Sequence, residues 1–210
     1  MARQPVLTLG WAFELSLYPK GCEIVAGVDE VGRGCWAGPV YAAAAILPVG
    51  FQHLHLRDSK LVDPQARAEL SAFLCSHPEV SWALGIATGE EIEAYNILQA
   101  SLLAMRRAVN ALKVQPHLCL IDGNKKAGLA CPEVTVIKGD GSCPSIAAAS
   151  IIAKVARDQV MHDFAALYPQ YGFGNHKGYG TPEHQHALAL HGPCPIHRRA
   201  FKPIRSYART

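Results

Sequence analysis

The 210-residue sequence lacks a paired-cysteine pattern, a long apolar run, an internal repeat and a low-complexity segment. Its seven cysteines are odd in number and include no CxxC pair, which argues against a disulfide framework and against a structural zinc site. No stretch reaches the roughly 20 consecutive apolar residues that a membrane span needs. Residues 1–20 lack the cationic start, apolar centre and cleavage site of a signal peptide. Together these absences predict a cytoplasmic protein that does not contact a membrane.

Positive charge is only slightly in excess. The chain contains 20 lysines and arginines against 17 aspartates and glutamates, a formal net charge of +3. This balance permits a nucleic-acid partner but does not require one. The basic residues near the C-terminal end are Arg198, Arg199, Lys202, Arg205 and Arg209. They are compatible with a solvated tail or with a surface that contacts nucleic acid.

Half of the residues are hydrophobic, which is enough to build one core at this length. We therefore expect a monomer with a single domain over residues 1–210, in which about residues 1–20 form an N-terminal arm. Five apolar segments predict strands at 23–29, 40–47, 80–87, 117–121 and 134–137. Periodic segments predict helices at 64–76, 88–112 and 145–168, the first two with N-cap signals at Asp63 and Thr88. The order of these elements predicts an α/β domain with a mixed five-stranded sheet flanked by helices.

Acidic residues stand at or just beyond the ends of three predicted strands. They are Asp29 with Glu30, Asp122, and Asp140. A single aspartate at such a position is commonly a turn former or a helix cap. Four carboxylates that converge would repel one another, so the cluster makes sense mainly if divalent metal neutralises it. Oxygen ligands without histidine or cysteine favour Mg²⁺ or Mn²⁺, and two such ions roughly 3.5–4 Å apart are the usual machinery for cutting a phosphodiester.

A glycine-flanked arginine follows the first pair of acids. In "GRG", residues Gly32 and Gly34 let backbone approach a sugar-phosphate chain closely, and the guanidinium of Arg33 can hold a phosphate. Taken alone this motif is weak, because the same three residues also form ordinary turns.

A set of ordered motifs resembles one known family. They are "AGVDEVGRG", "DSK", "YNILQASLLAM", "IDGN", "IKGD", "AAASIIAKVARD", "HKGYGTPEH" and "HRRAF". Together they are similar to the type 2 ribonuclease H family, in particular its bacterial ribonuclease HII branch, over about residues 24–204. The resemblance implies an RNase H-like fold with a C-terminal helical extension, and cleavage of the RNA strand in RNA/DNA hybrids and at single ribonucleotides in duplex DNA. It also implies that Asp29, Glu30, Asp122 and Asp140 are the metal-binding quartet.

The resemblance assigns further positions to substrate. It implies that Gly32, Arg33 and Gly34 hold the ribonucleotide 2′-OH and the scissile phosphate, largely through backbone, and that Tyr179 stacks on sugar at the ribose-to-deoxyribose junction. Lys60 in "DSK" resembles a phosphate-contacting lysine, although most exposed lysines are simply solvated. Asp158 resembles a further acid near the metals, or it is an i, i+4 partner of Lys154. The C-terminal region over about residues 175–210 is expected to contact nucleic acid.

Two features depart from a simple match. Cys35 and Trp36 follow "GRG" where the family more often has proline and a smaller apolar residue, which bears on specificity more than on activity. Ala200 stands in "HRRAF" where serine is frequent. The C-terminal histidines are His176, His184, His186, His191 and His197. Their spacings match no familiar zinc pattern, so we interpret them as ordinary loop and helix residues.

Three other interpretations stay open at this point. A junction resolvase of the same fold would share the acidic strand ends but would not need a 2′-OH. The related ribonuclease HIII usually has a large N-terminal domain, for which about 20 residues before the first strand leave no room. A non-catalytic hybrid-binding protein would have no use for four carboxylates that face phosphate, because without metal they would weaken binding.

Overall fold

The computed structural model describes residues 9–207. Its centre is a five-stranded sheet with the order β3-β2-β1-β4-β5. The strands are β1 (Val25–Val31), β2 (Val40–Ile46), β3 (Ser81–Ala87), β4 (Leu118–Asp122) and β5 (Glu133–Val136). β1, β2 and β3 pair antiparallel, whereas β1, β4 and β5 pair parallel. The predicted mixed sheet is confirmed, with strand boundaries that differ from the predicted ones by one or two residues.

The helices are α1 (Trp11–Ser16), α2 (Pro64–Ser76), α3 (Gly89–Asn110), α4 (Pro144–Leu167), α5 (Phe173–His176), α6 (Pro182–His191) and α7 (Lys202–Arg205). One face of the sheet packs against α3, and the other packs against α4 with α2 behind it. Glycines let both helices approach closely. A Cβ on Gly27 of β1 would lie 2.1 Å from the backbone of Ser145, and one on Gly85 would lie 2.0 Å from the backbone of Ala104.

Both predicted helix starts are present. The carboxylate of Asp63 accepts from the amide of Ala66, and Thr88 and Glu91 form the complete capping box. The prediction of one uninterrupted helix from residue 88 was wrong, because Asn96 has φ 68° and breaks α3. Its side-chain oxygen accepts from the amides of Leu98 and Gln99, so Asn96 caps the second half of the helix. With φ 68° and ψ 164°, this residue lies outside every helical region, so the helix is interrupted here.

The N-terminal segment is more than an arm. Residues 1–8 lie outside the described residues, but α1 contributes Trp11 and Glu14 to the interior. The fully buried carboxylate of Glu14 accepts from the amide of Ser145 at 3.0 Å and from the hydroxyl of Tyr18 at 2.8 Å. Glu14 therefore supplies the N-terminus of α4 with an acceptor, where Cys143 at the cap position has none to offer.

The C-terminal elements form a third apolar cluster beside the end of α4. Ala37 and Met161 pack there with Tyr171, Phe173 and Ile204. This cluster connects the loop after β1 to α5, α6 and α7, which together form the predicted helical extension. Within residues 9–207, no helix is both long and apolar enough to cross a membrane.

Candidate active site

Four carboxylates lie at one edge of the sheet. Asp29 and Glu30 were expected at or just beyond the end of the first strand, but β1 continues to Val31, so both lie within its last three residues. Asp122 is the last residue of β4. Asp140 lies in the 3₁₀ turn Gly139–Gly141 that follows β5. Because β1, β4 and β5 are parallel neighbours, their carboxyl ends meet at the same edge.

The carboxylates repel one another in a buried setting. Burial raises the pKa of Asp29 well above its usual range, and the charges of Glu30, Asp122 and Asp140 raise it further. Burial also raises the pKa of Glu30, in spite of the guanidinium of Arg33. The pKa of Asp122 is raised as well, mainly by burial. Each shift has the sign expected when negative charge is confined without a counter-ion.

Two cationic side chains, those of Arg33 and Lys60, partly relieve this repulsion. Arg33 Nη1 lies 3.1 Å from Glu30 Oε1, and Lys60 Nζ lies 3.5 Å from Asp140 Oδ2. Burial works against the charge of Lys60, but the neighbouring carboxylates of Asp140, Asp58 and Asp29 outweigh it and raise the lysine pKa. Both cations are on exposed, long side chains, so the pairs are weak and easily exchanged.

The donor chemistry of this edge suits a hard divalent cation. Carboxylate oxygens are the preferred ligands of Mg²⁺ and Mn²⁺, and the raised pKa of Asp29 reports negative charge that such an ion would relieve. In residues 9–207, no three His, Cys, Asp or Glu side chains are arranged so that they could already hold a metal ion. Arg33 and Lys60 instead contact one oxygen each of Glu30 and Asp140.

A cleft extends from this edge along α4. Asp29, Glu30 and Asp122 line one part of it, while Lys60, Asp158 and Tyr179 line the rest. Asp140 is buried below Lys60 and is not part of the cleft wall.

Asp158 is engaged with cations of the cleft wall. Its Oδ1 lies 2.7 Å from Lys154 Nζ, and its Oδ2 lies 3.6 Å from Arg67 Nη1. The i, i+4 partnership with Lys154 is therefore present, and Arg67 of α2 adds a second partner that the sequence did not indicate.

Two buried arginines hold the glycine-arginine loop. Arg198 donates from Nε to the carbonyl of Gly38 and from Nη1 to the carbonyls of Arg33 and Cys35. Arg157 donates to three more carbonyls, those of Pro39, Ala37 and Lys177. We call Arg157 and Arg198 together the arginine clamp. Neither forms an ion pair with a carboxylate of the described chain.

The clamp fixes which side of the loop faces outward. The carbonyls of Arg33 and Cys35 point inward to Arg198, whereas the amides of Arg33 and Gly34 have no acceptor among residues 9–207. Both residues are exposed. An arrangement with free amides outside and two buried cations beneath suits an anion.

The arginine clamp was not found from the sequence as a functional unit. Arg198 was grouped with the basic C-terminal residues, and a solvated tail was one of two interpretations of that run. That interpretation is wrong for Arg198, which is 1% exposed, although Arg199, Lys202 and Arg205 are exposed and Arg209 lies outside the described residues. A signal for Arg157 existed, because it lies four residues from both Ala153 and Met161 on the buried face of α4.

Tyr179 lies beside the loop. A Cβ added to Gly34 would lie 3.9 Å from Tyr179 Cε1, so the ring covers that glycine. Burial raises the pKa of Tyr179, and Cys35 raises it further. Trp36 connects the glycine-arginine loop to the segment that contains Tyr179. Its amide donates to the carbonyl of Gly178. Its indole lies so close to Gly180 that a Cβ on that glycine would be 2.1 Å from Trp36 Cζ2. The residue that departs from the family pattern is thus accommodated by a glycine.

Comparison with known proteins connects these features to one family. The family model described as Ribonuclease HII matches residues 26–204. A ribonuclease HII of Bordetella pertussis is 50% identical over 184 residues, which is 88% of this chain and 91% of that protein. A ribonuclease HII of Nitrosococcus oceani is 52% identical over 183 residues, covering 87% of this chain and 90% of that protein.

Solved structures agree on the fold. The crystal structure of the ribonuclease H2 from Pyrococcus horikoshii matches with a TM-score of 0.72 at 25% identity, covering 88% of this chain and 96% of that one. The ribonuclease HII in a complex with PCNA from Archaeoglobus fulgidus matches with a TM-score of 0.67 at 22% identity, covering 85% and 95%. The match to the family model and the identity to these relatives establish that the chain belongs to the ribonuclease HII family, whose members are phosphodiester-hydrolysing endonucleases of RNase H-like fold.

Proposed function

We propose that this ribonuclease H nicks duplex DNA on the 5′ side of a single embedded ribonucleotide, in addition to cutting the RNA strand of longer hybrids. The reaction hydrolyses one phosphodiester and leaves a 3′-hydroxyl and a 5′-phosphate. Such a nick would start the excision of ribonucleotides left by DNA replication. The enzyme would act as a cytoplasmic monomer, with the whole chain as one domain.

Asp29, Glu30, Asp122 and Asp140 would hold the metal. When bound, two Mg²⁺ or Mn²⁺ ions supply an activated water and stabilise the leaving oxygen. The chain itself provides a confined acidic site, in which burial and the neighbouring carboxylates raise the pKa of Asp29, so metal binding would release any proton held there. Arg33 and Lys60 would leave Glu30 and Asp140 and turn to the phosphates of the substrate.

Recognition of ribose would depend on the loop and on Tyr179. The amides of Arg33 and Gly34 are free to donate to the 2′-OH or to the scissile phosphate. A 2′-OH is the group that distinguishes RNA from DNA at one nucleotide. Tyr179, next to Gly34, would stack on the sugar that follows. Gly32, which is buried with φ 97°, sets the turn that presents the loop.

Two further parts of the chain would support binding. Asp158 would hold Lys154 and Arg67 in the cleft wall near the metals, where these cations face the substrate backbone. The C-terminal region over about residues 175–210 would contact the duplex through its exposed cations, among them Arg199, Lys202 and Arg205.

The observation that carries the proposal is that one site combines a surface suited to a cation with a surface suited to an anion. Four carboxylates that need a cation lie next to a loop whose exposed amides and buried arginines need an anion. A metal-bound phosphodiester meets both requirements at once. The free amides beside the carboxylate edge would also be placed to contact a 2′-OH, which an enzyme that ignored ribose would not need.

The test is cleavage of a labelled DNA duplex that contains one ribonucleotide, beside its all-DNA twin. Each is incubated with Mg²⁺, with Mn²⁺ or with a chelator, using wild type and Asp122→Asn. We expect a nick only at the ribonucleotide, only with metal, and not with the variant. Equal cutting of both duplexes would show a general nuclease, and binding without cutting in any metal would show a hybrid-binding protein.

A further inference from the structure

Three histidines lie buried together beneath the segment that carries Tyr179. They are His176, His184 and His197, which are at most 8% exposed. The rings of His176 and His184 stack with centroids 4.4 Å apart, and the rings of His184 and His197 lie 5.2 Å apart. The proposed reaction gives these side chains no part, although two of them form hydrogen bonds with the backbone of Gly178 and Tyr179.

The hydrogen bonds of His184 and His197 have only one consistent direction. The amide of Cys194 donates to His197 Nδ1 at 2.9 Å, whereas the Cys194 carbonyl, 3.3 Å from the same nitrogen, already accepts from the amide of His197. The ring proton of neutral His197 is therefore assigned to Nε2. This Nε2 lies 2.9 Å from His184 Nε2, which must then accept. The proton of His184 is therefore on Nδ1, which lies 2.9 Å from the carbonyl oxygen of Tyr179. A carbonyl can only accept, so both ends of the chain demand the same tautomers.

His176 holds the other side of the same segment. Its Nδ1 accepts from the amide of Gly178 at 3.1 Å, and its Nε2 lies 2.7 Å from the carbonyl of Tyr171, to which it donates. The amide of Gly178 and the carbonyl of Tyr179 are thus both held by ring nitrogens. The backbone of Tyr179 is fixed on two sides, while its side chain stays 41% exposed beside the loop.

The chain of bonds exists only while the rings are neutral. A second proton on His184 would place two donors face to face at the shared Nε2 contact, and a second proton on His197 would lie on Nδ1, opposite the donating amide of Cys194. Burial lowers the pKa of both His184 and His197 to about 4, so both rings are neutral in the range where the enzyme works.

We propose that His184 and His197 are positioning residues that fix Tyr179 for contact with ribose through this one-way chain of hydrogen bonds. The inference rests on the proposed function, because it requires Tyr179 to contact the substrate sugar. It assigns the histidines a role in substrate binding that burial alone would not give them.

The test compares His184→Asn with His184→Gln. An asparagine amide reaches the position of Nδ1 and can donate to the Tyr179 carbonyl, whereas a glutamine amide reaches the position of Nε2 and cannot. Both variants lose part of the histidine packing, so both should lower the thermal midpoint. We expect His184→Gln to raise the KM for the ribonucleotide duplex about tenfold, the size of one lost hydrogen bond, with kcat little changed. His184→Asn should keep a KM close to that of wild type.

A purely structural role predicts a different pattern. Equal KM values for the two variants, or KM changes that simply follow the thermal midpoint, would overturn the proposal. In a Tyr179→Ala background, His184→Gln should have no further effect on KM, since the residue it positions is absent. A full additional effect in that background would contradict the proposal. A wild type that does not nick the ribonucleotide duplex would instead overturn the proposed function itself.

A measurement on the wild type keeps the inference testable if a variant does not fold. Nitrogen-15 NMR of the imidazoles distinguishes the two neutral tautomers. We expect the proton of His184 on Nδ1 and the proton of His197 on Nε2. The opposite tautomer at His184 would leave the Tyr179 carbonyl without its donor and would overturn the proposal.

Discussion

The carboxylate edge and the arginine-clamped loop are adjacent, yet they are stabilised in opposite ways. At the edge, burial and neighbouring like charges raise the pKa of Asp29, and within residues 9–207 the quartet forms ion pairs only with two exposed side chains, Arg33 and Lys60. In the loop, two buried guanidiniums donate to the carbonyls of Arg33, Cys35, Ala37, Gly38 and Pro39. The edge therefore stores unfavourable electrostatic energy that a metal can release, whereas the loop is already in its final shape. The carboxylate edge would be completed by a bound metal ion, whereas the loop is already shaped for contact with the substrate.

The largest effect should come from neutralising the edge. Asp29→Asn should reduce cleavage by more than about 100-fold, the upper range for losing even an outer partner of a metal. The same change removes a buried charge from a repulsive cluster, so the metal-free protein should become more stable. Calorimetry with a chelator and cleavage with Mn²⁺ measure the two effects. Glu79→Gln, at an exposed acid, is the control that should change neither. Reduced stability of metal-free Asp29→Asn would show that the edge is not strained.

The next effect should come from breaking the loop. Arg198→Lys keeps the positive charge but cannot reach the carbonyls of Gly38, Arg33 and Cys35 together. We expect the preference for the ribonucleotide duplex over its all-DNA twin to fall about tenfold, as for loss of one to two hydrogen bonds. Binding assays with a chelator measure this without cleavage.

The neighbouring Arg199→Lys provides the matched control, because Arg199 is exposed and holds none of these carbonyls. It should leave the preference unchanged. If both variants lost it equally, then the charge of the C-terminal region and not the clamp would determine selectivity.

A smaller effect should follow from Gly180→Ala. The added Cβ would lie 2.1 Å from Trp36 Cζ2, so the indole must shift. We expect a loss of about 1–3 kcal/mol in the free energy of unfolding, as for other overpacked sites. Gly89→Ala is the control, since nothing lies within 4 Å of a Cβ there, and it should be neutral or slightly stabilising. An unchanged unfolding free energy in Gly180→Ala would mean that Trp36 does not depend on that glycine.

The smallest effect concerns acid stability. The folded-state pKa values of His184 and His197 are about 4, below the ordinary value of 6.5. Between these values the unfolded chain binds more protons, so stability falls as pH decreases from about 6.5 to about 4. The raised carboxylates have the opposite sign, so the comparison must be made between proteins. His184→Asn has lost one such group, and its thermal midpoint should decrease less steeply over this range. Parallel curves for the two proteins would contradict this.

Sequence reasoning succeeded where local signals decide structure. The alternating and periodic apolar patterns predicted all five strands and the three long helices, and Asp63 and Thr88 predicted the correct helix starts. The four acids were selected because strand ends in an α/β fold share an edge. Four carboxylates, however, indicate a metal site only if they lie close together. Their proximity depends on the parallel pairing of β1, β4 and β5.

The sequence could not show which residues from distant parts of the chain contact one another in the fold. Arg198 looks like one member of an exposed basic run, and only tertiary structure buries it. The hydrogen-bonded pair His184 and His197 has no recognisable sequence spacing, because it is defined by bonds between α6 and the loop that follows it. The break at Asn96 was missed because a helix-forming pattern continues on both sides of it. In each of these cases a long-range contact or a single backbone angle, and not the local sequence pattern, determined the structure.

The bond from Arg198 to Gly38 joins residues 160 positions apart. A nascent chain on the ribosome can assemble β1, its acids and much of the sheet long before Arg198 emerges, because domains tend to fold from the N-terminal side as they are made. Arg198 thus completes the loop only after the residues of the sheet have been synthesised. In the proposed function, discrimination of ribose would be acquired after the carboxylate edge has formed.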